Sequence, residues 1–235
     1  MFRKLVMICL LVTFSSCAEL QGVVNQLPGG GLTDEQIASG LQQALQQGID
    51  QQVSTLALED GFYKNQLVKI LLPEELQKVD RTLRDIGLGH LADEGLLLLN
   101  RAAEDAVSEA TPVFINAVKG ITFQDARNIL LGDDMAATQY LKSATNEDLY
   151  NKFEPVIQTS LKKVRASEVW ERLITRYNTL PLTQDVNPDL TDYVTREALS
   201  GVYTMIAIEE KEIRNQISAR TTELLRKVFA LQDNS

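Results

Sequence analysis

Acid chemistry is abundant in this chain and imidazole or thiol chemistry is scarce. Thirty-two Asp and Glu stand against 23 Lys and Arg, with one histidine and two cysteines in 235 residues. His90 alone cannot build a His-rich zinc site, a His-containing di-iron bundle or a His-x-x-x-His metalloprotease site. Its neighbours Gly87, Gly89 and Leu91 mark a helix boundary, so His90 reads as a capping or surface residue. The chain has no G-x-S-x-G elbow, P-loop or G-x-G-x-x-G fingerprint, and the Pro28–Gly31 run lacks the Lys-Ser or Lys-Thr of a phosphate cradle. A pair of carboxylates could hydrolyse a glycoside, but so many acids always permit some pair. No catalytic residue, metal ligand or cofactor-binding residue is assigned.

One acid stands out by position. At 100° per residue Val202, Ile206, Glu209 and Ile213 fall within about 60° of one another, which places Glu209 on a core-facing stripe. A buried carboxylate must be paired or protonated. Its candidate partners are Arg220, Arg101 and Arg127, while Arg214 is better placed to meet Glu210 four residues before it. Glu209 either lines a pocket for a polar ligand or acid/base work, or belongs to a structural ion pair, and the structural reading carries more weight.

The elements that must position these groups all read as helices. Thr33 and Gln36 form a capping box before Ile37, Leu41, Ala44, Leu45 and Ile49, with a glutamine-rich opposite face. Pro73, Glu74 and Glu75 start a second helix that stops at Gly87 or Gly89, and a third begins near Leu91 with Leu98, Ala102, Ala106 and Ala110 as a mostly small stripe. Pro112 begins another helix or kinks this one. Thr122 with Asp125, Thr145 with Asp148, and Ser167 ahead of Trp170 are further helix starts, and Tyr177–Pro188 reads as a loop. Asp189 or Thr191 opens a helix in which the stretch from Ala198 to Ile208 is apolar on nearly every side, as a central helix of a bundle is. Ser218 caps the last helix, with Leu224, Leu225, Val228 and Phe229. Strand alternation and internal repeats are lacking. The expected fold is all-α, one domain of about eight to ten helices over residues 33–235.

The N-terminus carries an address. Arg3 and Lys4 precede an apolar run from Leu5 to Phe14, about ten residues, where a membrane-spanning helix needs roughly 17–25. Phe14, Ser15, Ser16 and Cys17 then resemble the lipobox of bacterial lipoproteins, with Phe14 departing from the commoner Leu. The resemblance implies a signal peptide over 1–16, lipidation of Cys17 and a membrane anchor of several acyl chains. A plain secreted chain would leave Cys17 as an odd thiol. Ala18, where a retention signal would place Asp, implies the outer membrane, facing the periplasm. Residues 17–32, with Pro28 and three glycines, read as a flexible tether. Removal of 1–16 takes Arg3 and Lys4 and moves the net charge from −9 to −11. Such a surface repels nucleic acid and anionic lipid.

Three segments, Leu99–Ala106 (LNRAAEDA), Ala136–Leu141 (AATQYL) and Val194–Phe229, resemble in the same order the bacterial lipoproteins grouped as domain-of-unknown-function family 4197. The resemblance covers most of the chain after the tether and implies a helical protein of the cell envelope, without an activity or catalytic residues to carry over. The expected function is a non-enzymatic scaffold or binding module. The alternatives are a periplasmic carrier of lipid or another hydrophobic molecule and, behind it, a carboxylate hydrolase. An apolar cavity on the order of several hundred Å³ would mark the carrier, two facing carboxylates in a cleft the hydrolase, and a packed interior with exposed apolar side chains the interaction protein.

Overall fold

The computed structural model of the protein describes residues 32–72, 77, 81, 84, 85, 87, 89–163 and 189–233. The signal peptide, Cys17 and tether residues 18–31, the Pro73 helix start, the Ser167 cap with Trp170, and the Tyr177–Pro188 loop lie outside the described residues.

Seven α-helices and no strand occur among the described residues: α1 (Asp34–Leu56), α2 (Gly89–Val107), α3 (Ala110–Lys119), α4 (Phe123–Leu130), α5 (Ala136–Lys163), α6 (Leu190–Asn215) and α7 (Glu223–Asp233). In α1 the apolar positions Ile37, Leu41, Ala44, Leu45 and Ile49 are all buried, as their three- and four-residue spacing requires. α1 packs on α3, α4, α6 and α7, whereas α5 packs on α2, α3, α4 and α6. Together α1, α5 and α6 therefore form the centre. α6 buries Val194, Thr195, Ala198, Leu199, Gly201, Val202 and Tyr203, consistent with its nearly all-round apolar sequence. At Gly201 an added Cβ would lie 2.7 Å from Phe62 Cε1, so the glycine lets α6 approach the segment after α1.

Local signals succeed where a side chain reaches its own backbone. Thr122 and Asp125 form the full capping box of α4, and Asp189 accepts from the N–H groups of Thr191 and Asp192 to start α6. Pro112 sits in the first turn of α3, which begins at Ala110. Gly87 has a φ of +80° and its N–H donates to Arg84 O at 3.1 Å, the geometry of a helix stop.

Two expected starts are corrected. Thr145 and Asp148 lie inside α5, where the Thr145 hydroxyl is buried, donates back to Leu141 O and meets Tyr203 Oη at 2.8 Å. A threonine can bond to a carbonyl one turn earlier as well as cap, and the helix continues through it. Ser218 lies in a short 3-10 turn (Ile217–Ala219), and the hydroxyl accepting from the first turn of α7 is that of Thr222, from Leu225 N–H at 3.2 Å.

Candidate functional site

A densely hydrogen-bonded polar pair in the described interior is Glu210 with Arg214. The Oε1 of Glu210 accepts from Ala137 N–H at 2.9 Å and from Arg214, and its Oε2 accepts from the N–H and hydroxyl of Thr138 at 2.8 and 2.7 Å. Glu210 thus holds a carboxylate against the first turn of α5, where unpaired N–H groups and the helix dipole favour negative charge. Arg214 completes the arrangement from the other side. It gives two N–H bonds to Glu210, one to Ile129 O at 2.8 Å, one to Leu130 O at 3.1 Å and one to Gln232 at 3.2 Å. All five guanidinium donors are used. The pair clasps the C-terminal carbonyls of α4 and the N-terminal amides of α5 together, from a single turn of α6.

Glu209 lies next to this clasp and outside it. It is half-buried and accepts one hydrogen bond from Gln52 Nε2 at 2.8 Å. None of its three expected arginine partners meets it. Arg220 is buried and grips Asp233 with two bonds of 2.6 and 2.9 Å while donating to the carbonyls of Ile213 and Arg214. Arg101 binds Glu104, Asp60 and Glu59, and Arg127 lies 3.6 Å from Asp34 on the surface. The reason is helical phase. Near its C-terminal end α6 buries Ile206, Glu210, Ile213 and Arg214, an arc centred roughly 85° from Glu209 at 100° per residue. The face that meets neighbours has turned from Val202 toward Tyr203 and Glu210, which places Glu209 at its edge. The i,i+4 pairing of Arg214 with Glu210 was legible from spacing, but its burial was not. His90 is exposed in the first turn of α2.

LNRAAEDA has a structural role that its own sequence does not display. Asn100, fully buried, accepts from Ile70 N–H at 2.8 Å and donates to Ile70 O at 2.9 Å and Leu96 O at 2.7 Å. Glu104 accepts from the N–H groups of Phe62 and Tyr63 and from Arg101 at 2.6 Å. Arg101 also binds Asp60 at 2.7 Å, a residue with a φ of 71°. Three polar residues on one face of α2 therefore hold the turn-rich segment after α1, while Ala102, Ala103 and Ala106 are buried beside them.

Three phenols are perturbed, and burial raises that of Tyr140. The hydrogen bond from Tyr150 to Asp192, 2.6 Å long, pushes the Tyr150 phenol up to about 12. Burial raises that of Tyr203, against the opposing pull of its bond with Thr145. Tyr203 also packs edge-on against Phe114, with ring centroids 5.9 Å apart.

Beside the clasp lies a cavity of about 20 Å³ lined by Leu41, Ile49, Ile206, Glu209 and Phe229 among others. That is room for about one water molecule. A larger groove of about 370 Å³ lies at the surface between α3 and α5, lined by Val113, Asn116, Asp148, Asn151 and Lys152. No cluster of three or more His, Cys, Asp or Glu able to hold a metal occurs among the described residues, and none of the described helices is long and apolar enough to cross a membrane.

The family model described as "Protein of unknown function (DUF4197)" matches residues 31–230. No curated protein and no solved structure matches the chain.

Proposed function

We propose, from the premise that this chain belongs to the DUF4197 family, that it is a non-enzymatic binding or scaffold module of the bacterial envelope, held to the outer membrane by acyl chains on Cys17. One observation carries the reading of the domain. The charged groups Glu104, Glu210, Arg214 and Arg220, all buried, spend their hydrogen bonds on backbone and side chains of their own fold. A catalytic or ligand-binding charge keeps bonding capacity for its substrate.

The cavity beside the clasp is far smaller than the roughly 300–1,000 Å³ of ligand pockets, and the larger groove between α3 and α5 is lined mostly by the polar side chains of Asn116, Asp148, Asn151 and Lys152, so neither supports a carrier of hydrophobic molecules. Glu104 and Glu210 accept three and five hydrogen bonds from their own fold, so they do not supply the facing carboxylates of a hydrolase. Exposed apolar side chains such as Leu58, Leu67, Phe123 and Leu131 suit an interaction protein. For the anchor, the support is the basic and apolar N-terminal run followed by Ser15, Ser16 and Cys17.

Two measurements test the reading. Cys17→Ser should move the protein from washed membranes to the soluble envelope fraction, and a variant that stays bound would overturn the anchor. Affinity capture from detergent-solubilised envelopes, with mass spectrometry of proteins and lipids, should recover a specific protein. A stoichiometric hydrophobic small molecule would establish the carrier instead, and recovery of neither would count against both.

A further inference from the structure

Acids that stand four residues before a base on these helices close into ion pairs: Asp192 with Arg196, Glu210 with Arg214 and Glu223 with Lys227, at 2.7 to 2.8 Å. Asp148 and Lys152 have the same spacing on α5 and do not pair. Among the described residues neither side chain has a hydrogen-bond or ion-pair partner, and the same holds for the side chains of Asn116 and Asn151. These four, with Val113, line the groove of about 370 Å³ between α3 and α5.

Two helix faces make the groove. Val113 and Asn116 stand three residues apart on α3, and Asn151 and Lys152 stand three and four residues after Asp148 on α5, so each set shares a face. The walls are fixed from behind, because Phe114 and Val118 of α3 and Leu149 and Phe153 of α5 are buried. Pro155 lies inside α5 and has no N–H to give the carbonyl of Asn151, four residues earlier. Asn151 therefore brings a main-chain acceptor without its usual helical donor, as well as its side-chain amide.

We propose that this groove binds a zwitterion the length of a dipeptide, with its ammonium at Asp148 and its carboxylate at Lys152. The proposal deepens the binding-module reading and rests on it. One free anion and one free cation select a ligand that carries one charge of each sign. The Cα atoms of residues four apart lie about 6 Å from each other along the helix axis, and two extended residues span about 7 Å. Between its charged ends such a ligand has one peptide group, to which the amides of Asn116 and Asn151 offer both donors and acceptors. A hydrophobic guest would find only Val113 here.

The test is a titration of the full chain, isotope-labelled and in detergent, with L-alanyl-L-alanine, followed by the backbone amide resonances. Saturable shifts are expected at positions 113–116 and 148–152, with a dissociation constant on the order of 1 mM. Asp148→Asn should weaken binding of the free dipeptide about two- to fivefold and leave the N-acetylated dipeptide unaffected, since acetylation removes the ammonium that Asp148 meets. Lys152→Met should do the same to the free dipeptide and leave the dipeptide amide unaffected. Both variants replace exposed side chains, and unchanged resonances elsewhere show an intact fold. Shifts that do not saturate, or a dipeptide blocked at both ends that binds as tightly as the free one, overturn the assignment. Either result leaves the binding-module reading to the affinity capture, which does not depend on this groove.

Discussion

Arg214 is the side chain whose loss should cost most, because it leaves Glu210 as a buried carboxylate without its counter-ion and two helix-end carbonyls without donors. Arg214→Met is expected to lower the free energy of unfolding by roughly 3–5 kcal/mol, read from urea denaturation. Glu209→Gln, which keeps an acceptor for Gln52 at a half-buried site, should cost about 1 kcal/mol or less. Equal losses in the two variants would mean that the clasp is not what secures this region. At Tyr150, alkaline difference absorbance should show one phenol titrating near 12. Asp192→Asn should bring that titration down toward the ordinary tyrosine range, because the carboxylate is the main force holding the proton. Sequence reading came within one residue of the buried acid. Spacing defines an arc on a helix, and which edge of that arc is covered depends on how neighbouring helices cross it.

Among the elements, α2 illustrates what remained hidden. Its small stripe was legible as a close-packing face, and Ala102 and Ala106 are buried accordingly. The work of Asn100 and Glu104 was not legible, because their partners are backbone groups 30 to 42 residues away and backbone amides look alike in any sequence. Asn100→Ala should leave the N–H and carbonyl of Ile70 unpaired and cost about 1–3 kcal/mol. Limited proteolysis should then cut within residues 57–72 faster than in the parent. Unchanged cleavage would show that Glu104 and Arg101 suffice to hold the segment. By contrast the Thr122 box and the Asp189 cap were readable because donor and acceptor lie within three residues of each other.

For the molecule as a whole, acid is the condition that loosens it. Asp60 is held below its ordinary pKa of 3.8 by Lys64 and then Arg101, Asp93 by Arg84, Asp125 by Thr122 and Asp233 by Arg220. Each is more acidic folded than unfolded, so each contributes stability that is present above pH 3.8 and is lost as the pH falls through the lower folded value. The urea midpoint should therefore decline below about pH 4, and Asp233→Asn should flatten part of that slope by removing the carboxylate that Arg220 grips. A midpoint that holds steady to pH 2 would contradict the assignment of these ion pairs. The all-α class and the family were readable from the chain at this scale, since periodicity and ordered motifs survive without coordinates. Which helices are central was readable only for α6. The clasp at Glu210 and Arg214 also sets an order of events. The amides of Ala137 and Thr138 and the carbonyls of Ile129 and Leu130 wait for partners 72 to 85 residues further along. A ribosome that has delivered α1 to α5 has not yet supplied the groups that close their interior. The clasp closes only once the last quarter of the chain has emerged.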